Sequence, residues 1–253
     1  MRTVDLNADV GELPALSALD AALMEHLTSV SVACGGHAGD EATMEVTVLA
    51  ALARGVAVGA HPSYPDREGF GRSAMGLSLE AVADEVEAQV RALSAVALRC
   101  GGSLSHVKPH GALYNAAARD EALASAIAEG VARVSKHLVL FGLAGSASLD
   151  VYRRRGFTVA AEAFADRRYE PDGSLTPRSV EGSLLTDPEE AAAQALAIAR
   201  DGSVVARDGS RVAVAADTLC VHSDTPGALA IARLVATRLP EAGVLLGRLG
   251  AAR

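Results

Sequence analysis

Seven short β-branched or apolar runs recur along the chain, at residues 3–7, 29–33, 56–60, 104–108, 138–142, 158–162 and 218–222, mostly separated by longer segments with acids and arginines at helical spacing. A strand followed by a helix before the next strand lies parallel to its neighbour, so this alternation dictates an α/β protein built on a parallel sheet. The spacing predicts helices over 41–54, 78–99, 120–135, 188–200 and 225–239, with Asp40, Ser78 and Asp187 in N-cap positions. A doubly wound open sheet and a closed barrel share this pattern. Polar residues separate the two, because they gather after nearly every run, at 5–12, 37–40, 61–72, 108–115, 162–169 and 222–224. An open sheet collects ligand groups mainly at one switch point, whereas a barrel brings every strand's carboxyl end to one rim. The expectation is therefore a seven-stranded TIM-like (β/α) barrel. The run GSVVARDGSRVAVA at 202–215 has two β-type stretches around Arg207-Asp208-Gly209 and reads as a small peripheral β-hairpin inserted before the last strand. No repeat, low-complexity tract or linker is visible, so a single domain over 1–253 is expected.

Composition narrows the function. The formal charge is −8 and only two lysines occur, Lys108 and Lys136. A nucleic-acid face would need clustered Lys and Arg, so that class is excluded. The three cysteines, Cys34, Cys100 and Cys220, have no repeating spacing and suit a reducing compartment. MRTVDLNADVGE carries acids where a signal peptide would need an apolar run, and no stretch reaches the length of a membrane span. A cytoplasmic protein with no membrane partner is the expectation.

The motifs carry the chemistry. In DLNADVGE the residues Asp5, Asn7 and Asp9 share one side of a strand, with Asp5 deepest. Three polar residues on one face line a solvated or liganded cavity. An Asx-rich turn is the bland alternative, and it accounts for Asp9 better than for all three. ACGGHAGDE puts His37 among glycines at a strand end, and AHPSYPDREGFGR puts His61 directly after one, with Arg67 and Arg72 following. HVKPHGALYN sets Lys108 and His110 two apart, EAFADRRY supplies Asp166 and Arg167, and ADTLCVHSD ends on His222. Imidazoles and carboxylates at one rim serve acid–base chemistry or substrate hydrogen bonding, or else hold a divalent metal, for which Asp9, His37 and His61 are the candidates. The arginines suit a carboxylate or phosphate, although surface pairing with acids is their ordinary use. Cys34 and Cys220 read as small buried residues. There is no GxxxxGK[ST] loop, no GxGxxG after a strand and no GxSxG elbow.

DLNADVGE, ACGGHAGD, GAHPSYPDREGFGR, HVKPHGALYN, FADRRY and ADTLCVHSD, in this order and over most of the chain, resemble the LamB/YcsF family. The resemblance implies a seven-stranded variant of the TIM barrel, related to glycoside hydrolases and deacetylases. It also implies ATP-dependent opening of 5-oxo-L-proline to L-glutamate, Mg²⁺ accompanying the ATP. Two partner subunits are implied, resembling carboxyltransferase-like or allophanate-hydrolase-like proteins. By position, Asp5, Asn7, Asp9, His37, His61, Lys108, His110, Asp166, Arg167 and His222 are carried over as site residues; with the rim arginines added, Asp5, Asp9, His61, Lys108 and His110 are the expected catalytic residues, and Asn7, His37, Arg67, Arg72, Asp166, Arg167 and His222 the expected substrate-binding ones. Within that set Asp9 and His61 would be acid–base or metal-binding groups, Lys108 would steady an oxyanion or phosphate, and Arg67 or Arg167 would hold the substrate carboxylate. The competing expectations are a stand-alone metal-dependent deacetylase or amidohydrolase and a non-catalytic substrate-binding subunit. The sequence departs from the family pattern at Leu13-Pro14-Ala15, where a glycine- and aromatic-containing loop is expected, at Gly36 in place of Phe, and at Ser223 in place of Gly.

Overall fold

The computed structural model describes residues 2–13 and 16–249, so Pro14 and Ala15 lie outside it. Its strands are β1 (Thr3–Val10), β2 (Ser29–Ala33), β3 (Ala57–His61), β4 (Leu104–Val107), β5 (Val139–Leu143), β6 (Val159–Phe164), β7 (Ser203–Val205), β8 (Arg211–Ala213), β9 (Thr218–Cys220) and β10 (Leu245–Leu246). Its helices are α1 (Ala18–Leu23), α2 (Glu41–Ala53), α3 (Leu79–Arg99), α4 (Gly111–Ala117), α5 (Glu121–Ala132), α6 (Ala147–Arg154), α7 (Pro188–Asp201) and α8 (Ala228–Glu241). Strands β1 to β6 pair in order, β6 pairs with β9, and β9 closes on β1, all parallel. This is the seven-stranded closed barrel that the polar strand ends predict. Strand β10 adds beside the start of β1, and β7–β8 is an antiparallel hairpin apart from the barrel.

The helices start where the sequence places caps. Asp40, Ser78 and Asp187 accept from the backbone N–H of Thr43, Ala81 and Glu189, each satisfying a donor that the first helical turn leaves free. Strand periodicity sorts β1: Leu6, Ala8 and Val10 join the apolar layer shared with the helices, while Asp5, Asn7 and Asp9 face the barrel interior. That layer is built from Ala, Val and Leu, as a chain with 3% aromatic residues requires. Where an interior side chain is large, a glycine makes room. A Cβ on Gly59 would collide with the His106 ring, so the glycine admits that imidazole, which stacks on Phe141.

Candidate active site

The interior is layered, and depth decides what each polar residue does. At the bottom, Asp5 accepts from Thr28 at 2.5 Å, Ser29 at 2.8 Å and Thr218 at 2.6 Å. Burial raises its pKa, and the three hydroxyls offset part of that rise. Asp5 is thus a satisfied floor residue, 1% exposed and outside the cavity lining. Asn7, fully buried above it, donates to Thr218 at 2.7 Å and Glu162 at 3.1 Å, so it braces the interior rather than meeting substrate.

The next layer is ionic. Lys108 Nζ lies 2.9 Å from Asp9 Oδ1, 2.8 Å from Glu162 Oε1, 3.1 Å from Cys220 Sγ and 3.3 Å from Asn7 Oδ1. Burial alone would lower the lysine pKa, but Asp9 and the other acceptors outweigh it and hold it well above its usual value. Asp9 is held well below the usual carboxylate range: burial opposes its ionisation, and His61 and Lys108 overcome that opposition. An ammonium has three donors. Those of Lys108 are engaged with its neighbours, and its contact to Asp9 favours the carboxylate form of that residue.

Above this layer, the end of β3 and the loops after neighbouring strands gather His37, His61, His110 and Glu12. Gln89 of α3 clamps the chain after β3, accepting from Ser63 N–H at 3.0 Å and donating to Ser63 C=O at 2.8 Å. A Cβ on Gly36 would come within 2.5 Å of the Ser63 hydroxyl and the Gln89 amide oxygen, which leaves no room for the phenylalanine of the family pattern. His61 Nε2 stands 3.3 Å from Asp9 Oδ2 and 3.0 Å from His110 Nδ1. His37 stacks on His110 at 3.7 Å with ring planes 3° apart, and its Nε2 is 3.3 Å from Glu12 Oε1. Burial and then the neighbouring His61 lower the pKa of His37 to about 3, and the same causes lower that of His110. Burial and then Asp9 push Glu12 up to about 7. His106, just before Lys108, is buried and lowered to about 3 by burial and then by Lys108.

The opposite wall comes from β6, β9 and the loops after them. Asp166 accepts from His222 Nδ1 at 3.0 Å and N–H at 3.1 Å and from Thr225 at 2.5 Å, and the His222 ring stacks on Phe164. Burial opposes ionisation of Asp166, but His222 and Thr225 prevail and lower its pKa. Arg167 donates to Thr176 C=O at 2.6 Å, and its Nε is buried with no partner among the described residues. Arg72 and Arg178 both reach Asp224, at 2.6 and 2.8 Å. Between the two walls lies a cavity of about 580 Å³ lined by Asp9, His61, Arg72, Lys108, His110, Phe164, Arg167, Arg178 and His222, among others.

Six of the expected residues line this cavity together with Asp9, namely His61, Arg72, Lys108, His110, Arg167 and His222. Asp5, Asn7, His37, Arg67 and Asp166 do not. Arg67 donates to the carbonyls of Gly35 and Gly39 at 2.9 Å each, so it fastens the glycine loop. Glu12, Phe164 and Arg178 belong to the site without having been expected there. Glu12 closes the DLNADVGE motif, and Phe164 shares the strand face of Glu162, a parity available in the sequence; Arg178 carries no such signal.

The family model for the LamB/YcsF family matches residues 4–252. The 5-oxoprolinase A subunit of Bordetella pertussis (strain Tohama I) is 51% identical over 245 residues, covering 96% of this chain and 97% of that protein. The 5-oxoprolinase A subunit of Heliobacterium modesticaldum is 48% identical, covering 95% and 96%. The crystal structure of a lactam utilization protein from Thermus thermophilus superposes with a TM-score of 0.90 at 46% identity, over 97% of this chain and 99% of that one. The catalytic domain of a peptidoglycan N-acetylglucosamine deacetylase from Eubacterium rectale, 11% identical with a TM-score of 0.50 over 99% of this chain and 89% of that one, shares the fold alone.

Proposed function

The chain belongs to the LamB/YcsF family, and we propose that it is the A subunit of a 5-oxoprolinase. It opens 5-oxo-L-proline to L-glutamate with ATP as co-substrate and two further subunits, carboxyltransferase-like and allophanate-hydrolase-like, as partners. The observation that carries this reading is a cavity that brings guanidinium groups together with a carboxylate–imidazole cluster, in a chain 51% identical to a relative of that name. A five-membered lactam is a resonance-stabilised amide, so its oxygen must be activated before water can open it. In the proposed sequence the lactam carbonyl oxygen attacks the γ-phosphorus of ATP and ADP leaves. Water adds to the ring carbon, the C–N bond breaks, and the nitrogen departs as the amine with a proton from that water. A second water adds to the acyl carbon and the C–O bond to the phosphoryl group breaks, giving the carboxylate and inorganic phosphate that carries the original lactam oxygen.

Each set of groups supports one part of that chemistry. Arg167 offers the free Nε, and Arg72 and Arg178 exchange Asp224 for an anionic ligand at small cost, because exposed ion pairs contribute little. They hold the substrate carboxylate and the transferring phosphoryl group, whose charge guanidinium donors match. The cluster around His61 and His110 receives the attacking water, with Asp9 beside it fixed as a carboxylate by Lys108. Ring-labelled 5-oxoproline tests the sequence of steps. Oxygen-18 in the carbonyl should appear in inorganic phosphate released by the reconstituted complex. Label confined to glutamate would refute the sequence of carbonyl-oxygen activation followed by water attack at the acyl carbon.

A further inference from the structure

We infer that Glu12, His61 and His110 form a binding site for one divalent transition-metal ion of the Zn²⁺ type. The ring nitrogens establish it. His61 Nδ1 is 2.7 Å from the carbonyl oxygen of Lys108, and His110 Nε2 is 3.0 Å from that of Phe70. A carbonyl only accepts, so both of those nitrogens carry the proton. In neutral rings the other two, His61 Nε2 and His110 Nδ1, then bear lone pairs, and these face each other at 3.0 Å with the rings at 85°. Glu12 Oε1 is 3.7 Å from His110 Nδ1, and Asp9 Oδ2 is 3.3 Å from His61 Nε2. Lys108 and His37 each meet one carboxylate of the cluster, at Asp9 Oδ1 and Glu12 Oε1, but neither lies between the two imidazole nitrogens, whose residues are only 1% and 7% exposed. A cation held between the two nitrogens and Glu12 satisfies this arrangement.

The spacing suits a metal. Ligand bonds of about 2.0–2.1 Å at tetrahedral angles put neighbouring donor atoms roughly 3.3–3.4 Å apart, and the observed neighbours bracket that value at 3.0 and 3.7 Å. Each imidazole gives its second N–H to a backbone carbonyl, the outer support that fixes a ligating tautomer. One support is itself strained: Phe70 is the non-glycine residue at positive φ, +54°, among the described residues, and its carbonyl is the one that meets His110. Strain persists where the surroundings over-determine it, and here it aims Nδ1 into the cluster. His37 is not a ligand. Its plane runs parallel to that of His110 at 3.7 Å, so its in-plane lone pair misses any ion that His110 holds, and its Nε2 orients Glu12 instead. This revises the Asp9, His37 and His61 set expected from sequence. Two imidazoles and one carboxylate leave coordination positions open on the cavity side, the pattern of a catalytic rather than a structural site. An ion bound there supplies Lewis acidity toward a carbonyl or a water.

Metal binding is measured apart from turnover. Full-length protein stripped with chelator is titrated with Co²⁺. One equivalent is expected, with visible absorption of a four- or five-coordinate ion that Zn²⁺ displaces. Glu12→Gln, which keeps the side-chain shape, should weaken binding by on the order of 10-fold to 100-fold. No cobalt retained by the wild type, or unaltered binding in both Glu12→Gln and His110→Asn, would overturn the site in favour of a proton shared by the two rings. 5-Oxoproline titrated into the stripped and loaded protein reads the lactam assignment independently: lactam binding with no cobalt binding overturns the metal site alone.

Discussion

At the scale of single residues, depth in the barrel separates groups that look alike in the sequence. Asp5, Asn7 and Asp9 share a face by strand parity, and that much is legible. Which of them reaches the cavity depends on the radius and tilt of the closed barrel, and hydroxyls from β2, β9 and Thr28 hold Asp5 far below it. The same holds for Lys108, whose isolation in the sequence marks it as special but whose carboxylate, amide and thiol neighbours arrive from β1, β6 and β9. Lys108→Ala strands two buried carboxylates, and a loss of about 3–5 kcal/mol is expected in urea unfolding. Lys108→Ala and His61→Ala should each abolish turnover in the reconstituted complex; near-normal rates in both would remove these residues from the site. Asp166 gives a pH signature. Its carboxylate pKa is lowered in the folded chain, so its contribution is complete above the unfolded value of about 3.9 and is lost as pH falls through the lower folded value. Asp166→Asn should therefore cost about 2–4 kcal/mol near neutrality. The gap to wild type should close in acid, and a constant gap from about pH 7 to about pH 2 would contradict the ionic account.

At the scale of elements, the sequence is most informative where periodicity is long. Strand β2 lies where the run at 29–33 puts it, and α3 occupies 79–99 behind its Ser78 cap. Strand β1 runs to Val10, beyond the expected 3–7, because its inward polar residues find partners inside the barrel and no turn is required. The short elements α1, α4, α6 and β10 leave no such mark, since two to eight residues give too few repeats for a pattern. Contacts between elements give predictions of their own. Gln89 ties α3 to the loop that follows His61, and Gln89→Leu leaves the Ser63 N–H and C=O without their bonds. A loss of about 1–3 kcal/mol is expected, together with weaker cobalt binding as the loop loosens; unchanged affinity would show that the loop holds His61 without the clamp. Gly59→Ala should cost about 1–3 kcal/mol by driving a methyl group into the His106 ring.

At the scale of the molecule, the closed ring converts residues from 9 to 222 into one cup, and polar groups clustering after nearly every strand are the sequence's clue to it. The cup also indicates what the proposed reaction would still require. Its cavity has guanidinium groups at the mouth, two of them bridged by Asp224, while the sequence has no glycine-rich phosphate loop. A triphosphate held only by exposed guanidinium groups is screened by salt and poorly aligned for in-line transfer. Partner surfaces over the rim would exclude water and supply the missing alignment, which is consistent with relatives named as subunits. The isolated chain should accordingly bind 5-oxoproline, detectable by calorimetry and weakened by Arg167→Ala, yet show no lactam-dependent ATP hydrolysis. Adding both partner subunits should restore it. Turnover by the chain alone would place the whole reaction inside this barrel, and lactam binding unaffected by Arg167→Ala would move the carboxylate to another wall.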